Sequence, residues 1–205
     1  MPRQVDHDGR RRQIAQAVFE LISERGLEAA TLRDVATRAG VSMGAVQRCF
    51  STKEEMLIFV AEHANQQVTE RVRRRIAESA DPESGLTMLE QTLVGIVPVD
   101  EQSRAEARVW LAFVAQAAVN PRLADVQRQQ YSGLAELFAL LIRMAKDAGH
   151  VRPDVDPDRE ADELLTLADG LNVQILFDRY TPEAARAALD RRIAALRVRA
   201  AEPAR

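Results

Sequence analysis

An all-α fold of about nine helices is what this sequence predicts, and three observations carry it. Apolar residues recur at three- and four-residue spacing along most of the chain, and no stretch alternates apolar with polar as a strand does. The composition is rich in Ala, Leu, Arg and Glu with only 4% aromatic residues, which favours helix over sheet. Capping residues stand directly before proline at Asn120-Pro121, Asp156-Pro157 and Thr181-Pro182, each a helix start.

Ile14, Ala17, Val18, Leu21 and Ile22 set the first helix over Arg10–Arg25, and Gly26 stops it. Thr31 caps the second, with Asp34 placed to answer the free amides of its first turn. Val35, Ala36 and Ala39 form its buried stripe, and Gly40 takes the left-handed turn that ends it. Ser42 caps a third helix whose inner side carries Val46 and Phe50, one turn apart. Thr52 and Glu55 make a capping box for a long helix running through Leu57, Val60, Ala64, Gln67 and Val68 to Ile76. Arg71, Arg73, Arg74 and Arg75, interleaved with Glu70 and Glu78, read as its solvated, ion-paired face.

Leu86, Leu89, Leu93, Ile96 and Val97 give a fifth helix stopped by Pro98. The stretch from Gln102 to Val119 is apolar nearly all round, so the sixth is expected to be central. The three capped prolines start the rest, and Gly149 closes the first of those. There are no repeats, and frayed ends are expected at 1–8 and 200–205. The expected division is an amino-terminal domain at 1–48 and a second helical domain at 49–205.

Two short helices joined by a tight turn make a helix-turn-helix DNA reader, and the outer side of the second would enter the major groove. That side carries Met43, Gly44, Gln47 and Arg48 after the Ser42 cap. Gln pairs with adenine and Arg with guanine, while Arg48 is equally suited to a phosphate. Thr31 and Arg33 open the second helix and Lys53 the fourth, where free amides favour phosphate. Arg10, Arg11 and Arg12 read as a basic arm touching the DNA backbone, or as a solvated charge cluster, with Arg11 taken as the contact.

This stretch resembles the amino-terminal domain of the TetR family of transcriptional regulators. The matching residues are Arg33-Asp34-Val35-Ala36, Ala39-Gly40-Val41-Ser42, Gly44, Phe50, Lys53-Glu54-Glu55 and Leu57. The resemblance covers about the first 60 residues closely. Two positions depart from it: the family commonly has Tyr in place of Gln47 and His in place of Cys49, both touching phosphate. The resemblance implies a homodimer on a palindromic double-stranded operator and a small-molecule inducer held in the carboxy-terminal helices. Asp169-Gly170-Leu171 and the turn at Asp178 resemble a subtype that includes choline-responsive repressors.

Trp110 and Phe113 lie one turn apart with Gln116 a turn further on. With Met88, Phe138, Leu141, Asn172 and Phe177 from other helices they are candidates for an apolar cage holding that inducer. Plain core packing explains each residue alone equally well. Leu164, Leu171, Leu176, Ala185, Leu189 and Leu196 are the expected dimer face, packed as a four-helix bundle.

Net charge is −3, and residues 1–60 carry +1 of it, so a DNA surface must be a local patch. Cys49 is the only cysteine, which excludes an intrachain disulfide and reads as a plain small residue rather than a redox switch. No leader opens the chain and no apolar run reaches the roughly 18 residues of a membrane span, so a soluble cytoplasmic protein is expected. His7, His63 and His150 are scattered outside any metal-ligand spacing. No phosphate-cradling loop or activated nucleophile occurs either, so no cofactor and no catalysis are expected. The rival readings are a helical interaction protein of this fold without operator binding, and an enzyme using the bundle cavity, which no constellation supports.

Overall fold

The computed structural model describes residues 2–198. Nine α-helices occur among them: α1 (Pro2–Arg25), α2 (Leu32–Arg38), α3 (Met43–Cys49), α4 (Lys53–Ala77), α5 (Gly85–Ile96), α6 (Glu101–Ala117), α7 (Pro121–Asp147), α8 (Pro157–Leu176) and α9 (Pro182–Leu196). A single 3-10 turn at Leu27–Ala29, with no apolar periodicity to announce it, joins α1 to α2. No strand occurs among the described residues, although Val151 and Arg197 pair in one antiparallel bridge.

The capping chemistry fixes the boundaries. Thr31 Oγ1 accepts the Asp34 amide at 3.2 Å, and Ser42 Oγ accepts that of Ala45 at 3.2 Å. Thr52 Oγ1 accepts the Glu55 amide at 3.0 Å while the Glu55 carboxylate takes the Ser51 amide at 2.9 Å, so the box closes one residue earlier than its usual form. Asn120, Asp156 and Thr181 cap α7, α8 and α9 in the same manner. Gly26, Gly40 and Gly149 take positive φ where α1, α2 and α7 end.

One boundary differs from expectation. The first helix begins at Pro2, well before Arg10, because proline is tolerated at a first helical position and nothing as far as Arg10 breaks the turn. Residues 2–8 are thus helical backbone, and the frayed end expected at 200–205 lies outside the described residues.

The chain divides into two compact units, with boundaries inside α4, between α5 and α6, and inside α7. One comprises Met1–Thr69 with Glu101–Arg128, the other Glu70–Asp100 with Gln129–Arg205. In the first, Ile14, Val18 and Leu21 of α1 pack with Val35, Val46, Phe50, Leu57 and Val60, joined by Val109, Phe113 and Ala117 of α6. Helix α6 is therefore one-sided in this unit, with Arg108 and Ala115 exposed, rather than apolar on every side.

In the second unit, Leu89 and Leu93 of α5, Phe138 and Ile142 of α7, and the inner sides of α8 and α9 form the core. Leu164, Leu171, Ala185, Leu189 and Leu196 are buried in it by the chain's own helices. These five, expected at a partner interface, are intramolecular instead; Leu176 alone is half-buried. Apolar spacing says that a face is covered, not by which neighbour.

Candidate nucleic-acid interface and effector region

The helix-turn-helix is assembled from local rules and then clamped. Val41 donates its amide to the Ala36 carbonyl at 2.9 Å, closing the turn around Gly40, and Gln13 of α1 donates to the Ala39 carbonyl at 2.8 Å. Helix α3 buries Val46 and Cys49, while Met43, Gln47 and Arg48 face solvent. Met43 is 51% exposed, unusual for a large apolar side chain and suited to the methyl groups of a groove. Small Gly44 and Ala45 flank the start of the helix, and the Arg48 guanidinium reaches back over Gly44.

Thr31, Arg33, Ser42 and Lys53 are exposed as well. The side chains of Arg33, Gln47, Arg48 and Lys53 make no hydrogen bond or ion pair to other described residues. By contrast, Arg38 is consumed by Glu20 and Glu24 at 3.2 and 2.7 Å, and those partners hold its guanidinium firmly charged. Spare cations on α2, α3 and α4, with Arg38 neutralised beside them, supply the local positive charge that the overall balance requires.

Arg11 does not belong to that set. Its guanidinium carbon lies 4.6 Å from the ring centres of both Phe50 and Phe59, and it donates to Glu55 at 3.2 Å. With a side chain only 23% exposed, it is turned into the fold rather than outward. The sequence shows three adjacent arginines, and only the later packing separates their roles.

The eight cage candidates are shared between the two units. Phe113 lies in the first unit's core, with Trp110 and Gln116 half-buried on α6. Phe138 and Leu141 lie in the second unit's core, with Met88 packed against it, and Asn172 is buried nearby on α8. Phe177 is 70% exposed at the end of α8 and walls no interior. An open depression of about 430 Å³ in the second unit, between Asp81, Ser84, Thr87, His150 and Arg197, includes none of them.

Two polar groups in the second unit stand out. Asn172 is 6% exposed and its Oδ1 has no hydrogen-bond partner, a costly arrangement in a finished core. One turn before it, half-buried Asp169 accepts the Tyr131 hydroxyl. Burial pushes the Asp169 carboxyl above the usual carboxylate range, against the smaller opposite pull of that hydroxyl. Asp169 carried only a family resemblance in the sequence, and Tyr131 carried no signal at all.

An amino-terminal reader on a helical bundle defines a DNA-binding regulator, and comparison with known proteins agrees. Residues 14–59 match the family model of bacterial regulatory proteins of the tetR family, and residues 85–198 match that of the BetI-type transcriptional repressor carboxy-terminal domain. The HTH-type transcriptional regulator PksA of Bacillus subtilis is 35% identical over 87% of this chain and 84% of its own. A BetI regulator of Paraburkholderia phytofirmans is 30% identical over 83% of this chain and 84% of its own. A solved transcriptional regulator from Saccharomonospora viridis, in complex with choline, superposes with a TM-score of 0.82 at 25% identity, covering 92% of this chain and 98% of that one. The chain belongs to the TetR family and is a ligand-responsive, DNA-binding transcriptional regulator. No described helix is long and apolar enough to cross a membrane.

Proposed function

We propose that this protein is a homodimeric repressor that holds a palindromic operator and releases it when a small cationic ligand enters its carboxy-terminal helices. The observation that carries the DNA half is the outer side of α3, where Gln47 and Arg48 point to solvent unpaired above a buried Val46. Gln47 and Arg48 read base edges, while Thr31, Arg33, Ser42 and Lys53 hold the phosphates. Two copies are needed because a seven-residue helix reads too few base pairs for useful specificity.

For the ligand half, the choline bound to the Saccharomonospora viridis relative gives the chemical class. A partly desolvated carboxylate at Asp169, the Tyr131 ring and the unpaired Asn172 carbonyl suit a quaternary ammonium with a polar tail. The cage of Trp110, Phe113 and their partners gives way here to groups of one unit.

Selecting fragments of genomic DNA with the purified protein, then measuring affinity against salt, tests the reading. Arg33→Ala and Lys53→Ala are expected to weaken specific and random DNA alike, each lowering the salt slope by roughly 1. Gln47→Ala is expected to lose about 1–3 kcal/mol of discrimination at defined base pairs with its slope unchanged. A protein that enriches no sequence would leave only the non-binding interaction protein.

A further inference from the structure

We propose that Arg11 is a positioning residue for the recognition helix: it clasps the corner between α3 and α4 and sets the angle at which α3 leaves the fold, without touching DNA. The proposal rests on the operator-binding reading above and adds a residue to it.

The geometry is a closed circuit within the first unit. Phe50 is the carboxy-terminal cap of α3, and its amide still donates to the Val46 carbonyl at 2.9 Å. Phe59 sits on α4, and the two rings meet edge to face with centres 5.4 Å apart. Arg11, from α1, stands 4.6 Å from both ring centres, so one guanidinium serves two aromatic faces on two different elements. It also donates from Nη2 to Glu55 Oε1 at 3.2 Å. The other Glu55 oxygen takes the Ser51 amide at 2.9 Å, in the link between α3 and α4. Arg11 therefore touches the end of α3 by stacking and the start of α4 by charge.

A helix of seven residues has almost no stability of its own, so its direction is set by what grips its ends. Ser42 holds one end through its own cap, which fixes the first turn but not the tilt. The other end has Phe50, and Phe50 is held by the core below and the Arg11 clasp beside it. Two residues along α1, Gln13 grips the end of α2 through the Ala39 carbonyl. Helix α1 thus tethers both helices of the reader, through two different sides.

The guanidinium is suited to this and an ammonium is not. A planar fork stacks on one ring while donating in its own plane to a carboxylate, whereas a lysine offers a hydrated point charge. That difference separates positioning from phosphate contact, for which lysine is an adequate substitute.

The test compares Arg11→Lys, Arg11→Met and Phe59→Leu with the parent on selected operator and on random DNA, across a salt series. Hydrogen exchange of the free proteins supplies a readout that needs no DNA. We expect Arg11→Lys to lose about tenfold in operator affinity, the scale of a desolvated cation–aromatic contact. Random-DNA affinity and salt slope should stay near the parent's, and exchange should quicken at the Val46 and Phe50 amides while the α1 core stays protected. Phe59→Leu is expected to show the same signature and to add little to Arg11→Lys. If Arg11→Lys binds operator like the parent while Arg11→Met loses about one unit of salt slope, Arg11 is a phosphate contact and the proposal fails. Parent-like exchange in all three free variants overturns it equally, whatever they do on DNA. Absence of operator binding by the parent itself would instead strike the repressor reading, leaving the exchange result to decide the clasp.

Discussion

At the scale of single residues, burial decides what a charged group does, and Asp169 makes the point within α8. Its carboxyl is pushed above the usual range by burial, so the unfolded chain ionises at lower pH than the folded one. The sign follows: the group's contribution is fully present below the ordinary carboxylate range and is lost as pH rises through the folded value. Above the ordinary carboxylate range this shift is a cost to the fold, one that the cationic ligand proposed above would relieve. Asp169→Asn keeps an acceptor for the Tyr131 hydroxyl and removes the charge. The variant is expected to be more stable than the parent at pH 7 in urea unfolding, with the gap closing toward about pH 4. Choline titrated calorimetrically should bind the parent and not the variant. A variant that is weaker at pH 7 and still binds choline would remove Asp169 from the effector site. Beyond the resemblance carried by Asp169-Gly170-Leu171, nothing in the sequence gives this aspartate its role, because its partner Tyr131 comes from another helix. Arg11 was hidden for the same reason, with Glu55 lying 44 residues on.

At the scale of elements the chain is far more legible. Caps and stops at Thr31, Gly40, Ser42, Thr52, Asn120, Asp156 and Thr181 depend on neighbours within four residues, and all appear where the sequence puts them. Which faces meet is less local, and α4 with α5 illustrates it. A Cβ on Gly95 of α5 would stand 2.3 Å from Cγ2 of Val72, and Arg71 donates to the Gly95 carbonyl at 3.0 Å. Two helix backbones approach closely there because one side chain is absent. Gly95→Ala gains helix propensity but must displace a stiff β-branched side chain, so a net loss of about 1–3 kcal/mol is expected. Val72→Ala in the same chain should restore part of that loss, and the double-mutant cycle should show coupling between the sites. A single Gly95→Ala variant as stable as the parent would mean that the helices separate at little cost.

At the scale of the whole molecule, the apolar stripes of α8 and α9 are used up inside one chain, which leaves the opposite sides of those helices as the surface they can offer to a second copy. The outward side of α8 carries Thr166, Gly170 and Phe177, all exposed. Glycine within a helix costs about 1 kcal/mol relative to alanine, and a Cβ on Gly170 would meet nothing within 4 Å in its own chain. A residue that weakens its helix and serves no internal contact is room left for a neighbour, and Phe177, 70% exposed one residue past α8, is its natural anchor. We propose this side as the two-fold contact of the operator-binding dimer. Gly170→Arg and Phe177→Asp alter only open positions, so each protomer should keep its fold and its melting behaviour. Both variants are expected to sediment as monomers at concentrations where the parent is dimeric. They should lose operator selectivity while retaining the weak, strongly salt-dependent affinity of one reader for any DNA. If both remain dimers, the contact lies elsewhere, and the exposed stripe of Leu137, Leu140 and Met144 on α7 becomes the surface to probe in the same way.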